Sequence, residues 1–503
     1  MIRLIHGYIR LLLSLPIFMM FGALEIGHTS QNWDPPAIDV FPDHNAVAPH
    51  GEQLPSMLEA GRKLFVTRFT LADGAGRPGA TGDSKPTVRD PRLGNAFTRA
   101  AGLDANSCAG CHNQPVTGGS GDFAVNVFVG AQFSDPPTQS ISTNVTSERN
   151  TIGLFGAGAI EMLAREMTED LQAQKIAALE RARVQNQNVP VSLETKGVHF
   201  GTIVAKPNGS YDASRLQGVD ADLVIKPFAA KGVVISLREF TINALNHHHG
   251  IQALERFGWE RTGRRDFDED GVEVEFTVGQ TSALTLFQAS LPAPLRALPR
   301  DEQQASQLRR GEEAFIQVGC ASCHIPALPL RGNTFSEPNP YNRPGNLLPE
   351  DVVAPILMPL PLNAANEGGV YKGANGVIYV AAFMDLKRHR ICDEHDPFFC
   401  NERLRQDFVP TDTFITSKLW DVGSSMPFGH RGDCTTVSEA ILHHSAEAKA
   451  SRDAFLQLDD ASKSALIRFL LSLSVPLLDP LHPITSTQSL KIEGREPCLR
   501  CRL

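Results

Sequence analysis

The sequence predicts a mainly α fold of two like helical domains, interrupted by long loop and short β insertions. Three observations predict it. A Cys-x-x-Cys-His motif occurs twice, at Cys108-Cys111-His112 and at Cys320-Cys323-His324, 212 residues apart. The same helical signature precedes each motif, Gly61-Arg-Lys-Leu-Phe65 in the first and Gly311-Glu-Glu-Ala-Phe315 in the second. Apolar residues such as Leu308, Ala314 and Phe315 recur at helical spacing beside the second motif.

At the N-terminus, Arg3 and Arg10 introduce an apolar stretch from Leu11 to Leu24, ended by Glu25. A short basic region before about fourteen mostly apolar residues reads as a secretory signal, here residues 1–27. No small-x-small cleavage site follows, so an uncleaved anchor is the alternative. No run of about 18 apolar residues exists, so no mature transmembrane span is expected. The formal charge of −9 offers no broad basic face and argues against a nucleic-acid partner. With 42% hydrophobic and 20% charged residues, the rest reads as ordinary globular chain.

Helix, insertion and motif then follow in order. The signature glycine stands 47 residues before the first motif cysteine in the first unit and 9 in the second. The difference, which holds Asp73-Gly-Ala-Gly-Arg-Pro-Gly79, reads as a loop insertion. Cys-x-x-Cys-His supplies two thiols for thioether bonds to haem vinyl groups and a histidine for the iron. Zinc would instead want paired ligand motifs within about 12–20 residues of each other. Two covalently bound haem c groups are therefore expected, attached at Cys108, Cys111, Cys320 and Cys323, with His112 and His324 as proximal iron ligands. The units become cytochrome-c-like domains over residues 50–290 and 300–478, followed by a polar tail, 479–503. Residues 198–225 are β-branched and turn-rich, and read as strands or long loops. In the second unit residues 303–318 read as a helix; Thr435-Thr436 caps another over 437–447, and Asp459-Asp460 a third over 461–473. A cytochrome c domain closes with such a helix packed across its first.

Four segments carry a wider resemblance: Asp104-Ala-Asn-Ser-Cys-Ala-Gly-Cys-His-Asn-Gln-Pro115, Leu154-Phe-Gly-Ala-Gly-Ala-Ile-Glu161, Ser236-Leu-Arg-Glu-Phe240 and Gly319-Cys-Ala-Ser-Cys-His324. Together they resemble the di-haem oxidoreductase family, a peroxidase-like branch of the bacterial di-haem cytochrome c peroxidase and MauG-type superfamily. The resemblance runs from about Gly61 to Leu473. It implies two cytochrome c domains meeting face to face, with one haem reacting and the other handling electrons.

What lies opposite each iron decides the chemistry. A strong sixth ligand gives electron transfer, whereas an open position admits peroxide or O₂. His247-His248-His249 is the first candidate source, and the resemblance aligns His249 with a methionine of similar proteins. For the other iron the candidates are His389, Met426 and His430. Phe428-Gly-His430-Arg-Gly432 departs, by its inserted Gly429, from the Phe-His-Asp-Gly of the related peroxidases. Each of these histidines reads equally as a structural residue. Glu161 is the candidate catalytic acid–base group, moving a proton between peroxide oxygens. Its alternative is a helix-start glutamate with Arg165 as i,i+4 partner. Trp259 and Trp420 are candidate electron relays, or core aromatics.

Asp266-Phe-Asp268-Glu-Asp270-Gly271 resembles the start of a calcium loop, although Thr277 stands where the bidentate glutamate belongs. Bound calcium and a plain acidic turn are both open readings. Among the five remaining cysteines Cys392 and Cys400 are the nearest long-loop pair. Cys498-Leu-Arg-Cys501 lacks a following histidine and reads as a disulfide. The expected protein is an enzyme, a periplasmic or secreted oxidoreductase that reduces hydrogen peroxide at one haem. Electrons pass through the other haem from a small periplasmic donor protein. MauG-like oxidation of a protein or organic substrate is the second reading, and a non-catalytic electron carrier the third.

Overall fold

A computed structural model describes residues 34–47, 53–76, 104–122, 124–127, 133, 147–268, 270–297, 299 and 301–475. The expected signal segment, most of the first-unit insertion and the tail with Cys498 and Cys501 lie outside the described residues. The chain divides at Pro35, and every element below belongs to the unit that begins at Pro36.

The helices that frame the site are α1 (Leu54–Val66), α2 (Ala157–Gln185), α3 (Leu237–Ala244), α4 (Val278–Ser290), α5 (Glu302–Gln317), α6 (Val437–Leu442) and α7 (Asp460–Leu471). Most begin at a side-chain cap, as their sequences dictate. Ser236 accepts from the Glu239 amide, Thr277 from Gln280, Asp301 from Gln304 and Asp459 from Ser462. Helix α1 has a proline in its first turn and buries Met57, Ala60, Gly61, Leu64 and Phe65, spaced at three and four residues.

Two crossings repeat, α1 on α4 and α5 on α7. At each, a glycine lets one backbone lie against another. A Cβ at Gly61 would stand 2.0 Å from the carbonyl oxygen of Ala283, and one at Gly311 would stand 2.1 Å from that of Ala465. Four residues beyond each alanine comes a phenylalanine. Phe287 meets Phe65 with ring centroids 5.3 Å apart, and Phe469 meets Phe315 at 5.6 Å. Such aromatic pairs add about 0.5–1.5 kcal/mol beyond the burial itself. The repeat legible at Gly61 and Gly311 is a repeat of packing.

The fold is not mainly α, which corrects the expectation. Helix accounts for 37% and strand for 17%. The strands form six small sheets among the described residues. After β1 (Ala124–Val127) and β2 (Ser147–Asn150), strands β3 (Val189–Thr195), β4 (Val198–Ala205) and β5 (Tyr211–Leu216) make an antiparallel meander. It packs on α2 and buries Leu193, Phe200 and Ile203. Residues 328–415 hold short strands and single turns and no α-helix. Their β-branched and aromatic residues come in short runs between Pro and Gly, which cannot propagate a helix but can pair across a sheet. Helix α6 stops at Leu442, short of 447, because the chain leaves the helix at His443. Among the described residues no helix is long and apolar enough to cross a membrane.

Gly61→Ala and Gly311→Ala should each destabilise the protein by about 1–3 kcal/mol, since a backbone carbonyl cannot turn aside for the new methyl. Denaturant unfolding checks this. A loss within about 0.5 kcal/mol, the range of an ordinary surface change, would show slack at the crossings.

Candidate functional site

Both Cys-x-x-Cys-His motifs open on one cavity of ≈ 470 Å³, lined by Cys108, Cys111 and His112 together with Cys320, Cys323 and His324. Ser107 caps the turn Cys108–Cys111, accepting from the Gly110 amide at 3.1 Å. Gly319, in the left-handed region at φ +86°, turns the end of α5 into the second motif. None of the four thiols is in a disulfide.

The ring nitrogens of the motif histidines are sorted by backbone carbonyls. His112 Nδ1 donates to Gly119 O at 3.3 Å, and His324 Nδ1 to Phe383 O at 3.1 Å. A carbonyl can only accept, so each Nδ1 has a partner for its proton in the tautomer whose Nε2 keeps the lone pair an iron needs. Burial lowers both rings to about 4, so both stay neutral at neutral pH.

Two more cavity histidines share that pattern. His249 Nδ1 donates to Ala105 O at 2.6 Å, and its Nε2 stands 3.9 Å from Cys108 Sγ. Burial lowers it, too, to about 4. It ends the π-helical turn Leu245–His249, a geometry found mostly at functional sites. The other is His444, which sequence reasoning missed. Its Nδ1 donates to Ala440 O at 2.7 Å, and its ring lies close enough to His324 to disfavour a proton there. The available signal was its place just past the capped helix α6, in Ile441-Leu-His-His-Ser445.

The remaining candidates are placed differently. His389 lines the cavity, but both its nitrogens meet carboxylates, Nε2 with Asp385 at 2.7 Å and Nδ1 with Glu447 at 2.8 Å. Burial opposes charge on this ring, yet Asp385 and Cys323 outweigh it and raise it to about 11. With both nitrogens donating, no lone pair remains for iron. His430 also lines the cavity, and its Nε2 bonds Asn401 Oδ1 at 2.8 Å. Beside it Arg149 donates to Gln406 at 2.8 Å and pairs with the buried Glu402, a polar stretch of wall that the sequence did not reveal. Met426 is 55% exposed and off the cavity.

Glu161 is buried in the first turns of α2, but it is not on the cavity wall. Its carboxylate accepts from the Leu237 amide at 2.7 Å and from Asn339 Nδ2 at 2.9 Å. Burial, and then the Glu337 carboxylate, push it up to about 8. Trp420 is buried against Gly156, whose left-handed φ of +73° and lack of Cβ let the indole in; Trp259 is exposed. Asp266, Asp268 and Asp270 bring carboxylate oxygens within 4.8 Å of one another. Burial and Asp268, with Asp270, push the neighbouring Glu275 up to about 11.

The donor sets suit haem better than a bare ion. Among the described residues, donor atoms close enough to hold a metal occur at Cys323–Asp385–His389 and at Asp266–Asp268–Asp270. Neither motif gathers its own two thiols and histidine. Neutral imidazoles around a cavity of this size fit a large ligand that brings its own metal.

Comparison with known proteins agrees with the resemblance read in the sequence. Residues 381–473 match the family model described as "Di-haem oxidoreductase, putative peroxidase". That match supports a general oxidoreductase role and is consistent with haem. No curated protein matches. Among solved structures, a hydrazine synthase from Kuenenia stuttgartiensis, pressurised with 20 bar xenon, is similar at 12% identity. That match covers 93% of this chain and 100% of the other at a TM-score of 0.33, too loose a likeness to carry an argument.

Glu161 makes a pH-dependent prediction. Its folded value of about 8 lies above the ordinary 4.5, so the folded state binds the extra proton between them and stability falls as pH rises from 5 to 8. Glu161→Gln should remove that part of the fall, a few kcal/mol at about 1.4 kcal/mol per unit. Denaturant unfolding at pH 5, 6.5 and 8 checks it; parallel profiles for the two proteins would refute it.

Proposed function

We propose that this protein is a periplasmic di-haem c-type oxidoreductase that reduces hydrogen peroxide. In this reading Cys108, Cys111 and His112 would hold one haem c, and Cys320, Cys323 and His324 the other. Haem bound there would supply one-electron redox chemistry. The net reaction takes two electrons from a small periplasmic donor protein and two protons from solvent, and turns one peroxide into two waters. The shared cavity supports the reading best, since both motifs line it. Arg149, Gln406 and His430 would give a peroxide hydrogen-bond partners at the wall. Glu161, screened from the wall by Leu237, acts in this reading on the junction of α2 with α3 rather than on substrate. The export signal at Arg3 to Leu24 supports the periplasmic location.

A specific observation favours a second reading, an electron carrier. His249 and His444 both keep Nε2 unprotonated on the cavity, as sixth ligands of two closed irons would. The electronic and EPR spectra of the holoprotein, oxidised and half-reduced, separate the two. A high-spin iron that responds to peroxide supports the peroxidase; two unchanging low-spin irons in every state leave the carrier.

Calcium at Asp266, Asp268 and Asp270 belongs to the same proposal, with Glu275 as a fourth carboxylate. Added calcium should raise the melting temperature of chelator-stripped protein, by about 2.7 kcal/mol of stability at a hundredfold excess over Kd. Asp268→Asn should abolish the effect. Identical melting with and without calcium would dismiss the ion.

A further inference from the structure

The segment that follows α6 is grasped by a neighbouring loop along its whole length. Residues 391–400 are closed on themselves by the Cys392–Cys400 disulfide. From this loop the Phe398 ring stacks on His443, centroids 3.6 Å apart and planes 5° from parallel. Asp396 reaches His443 Nδ1 at 3.4 Å and is anchored by Arg452. Phe399, buried on the cavity wall, lies 6.3 Å from the His444 ring and 6.1 Å from that of His430. Ile391 O accepts from the Ser445 amide at 2.9 Å. Asp393 accepts from the Ser445 hydroxyl at 3.0 Å and from the Ala446 amide at 3.2 Å. Four consecutive residues, His443 to Ala446, are thus each bonded to or packed against one loop.

We propose that the disulfide-closed loop 391–400 is the clasp that holds His444 at the second haem, making Asp393 and Phe399 positioning residues for the sixth ligand of that iron. The proposal rests on the reading of His444 as that ligand. The clasp is needed because α6 ends at Leu442, so no continuing helix fixes where His444 points. A single hydrogen bond from Nδ1 to Ala440 sets its tautomer but leaves the chain beyond it free to swing. The bridge supplies what the missing helix would have: it removes the loop's freedom, so that Phe399 and Asp393 meet His444 and its successors in one arrangement. Cys434 is buried in the same cluster and stands outside the bridge. Burial pushes its thiol up to about 11, and the thiolate is the attacking form.

The test compares the resting ferric holoprotein with three variants, Cys392→Ser/Cys400→Ser, Asp393→Ala and His444→Gly, by electronic and EPR spectra. In His444→Gly one of the two irons should become fully high-spin. The two clasp variants should convert that same iron in part, by about a tenth or more, leave the other unchanged, and return to low spin on adding imidazole. Asp393→Ala keeps the bridge intact and carries the test should the double variant not fold. If both clasp variants, or Asp393→Ala alone in that case, keep the wild-type spectrum while His444→Gly turns high-spin, the clasp is refuted and the ligand stands. If His444→Gly itself leaves the spectrum unchanged, the ligand reading fails and the clasp with it.

Discussion

Two helix crossings with no room for a side chain govern what is built on them. Backbone contact at Gly61 and Gly311 fixes both the distance and the tilt of each pair, where a side chain between them would leave a choice. In the second unit the consequence is direct, since Cys320 follows the end of α5 by three residues and has little freedom of its own. In the first unit the path from α1 to Cys108 is far longer. There the chain is returned by hydrogen bonds, with the Phe69 amide donating to Asn106 O at 2.8 Å and the Asn106 side chain donating back to Phe69 O. An insertion tied at its base costs little closure entropy in the motif it interrupts. Both motifs can therefore meet the same cavity.

How much of this was legible depends on how local the cause was. The motifs, the helix caps and the glycine repeat are written in a few adjacent residues, and each reappears in the fold. Residues 198–225 were legible as strands or long loops and hold β4 and β5, whereas the sheets of residues 328–415 were not legible, because their strands are too short to show a period of their own and take their order from pairing. The site divides in the same way. His112 and His324 follow from the motif, whereas the fate of His389 depends on Glu447, 58 residues away. Met426 is adjacent to cavity residues in sequence, yet faces solvent. His444 escaped notice because its one local mark, a place just past a capped helix, carries no chemistry; its meaning comes from a carbonyl one turn back and from the ring of His324.

The electrostatics of the cavity narrow what it can hold. Burial keeps His112, His249 and His324 uncharged, and an imidazole nitrogen turned toward apolar walls without a partner costs about 1–3 kcal/mol. Neutral rings of this kind would suit haem irons held at the two motifs, which would take a nitrogen lone pair. How firmly either position would be held depends on what fixes the backbone of each ring. His444 is gripped by a bridged loop at every neighbouring residue. His249 ends a π turn, whose wider ring already departs from the favoured hydrogen-bond geometry of a helix. Beyond the turn it is tied on two sides, its Nδ1 donating to the carbonyl of Ala105, in the segment leading to the first motif, and its own carbonyl accepting from the Gly76 amide at 2.8 Å. Each of the two rings is thus fixed from outside its own turn, His249 by the segments at Ala105 and Gly76 and His444 by a bridged loop, so neither position is set by its local sequence alone.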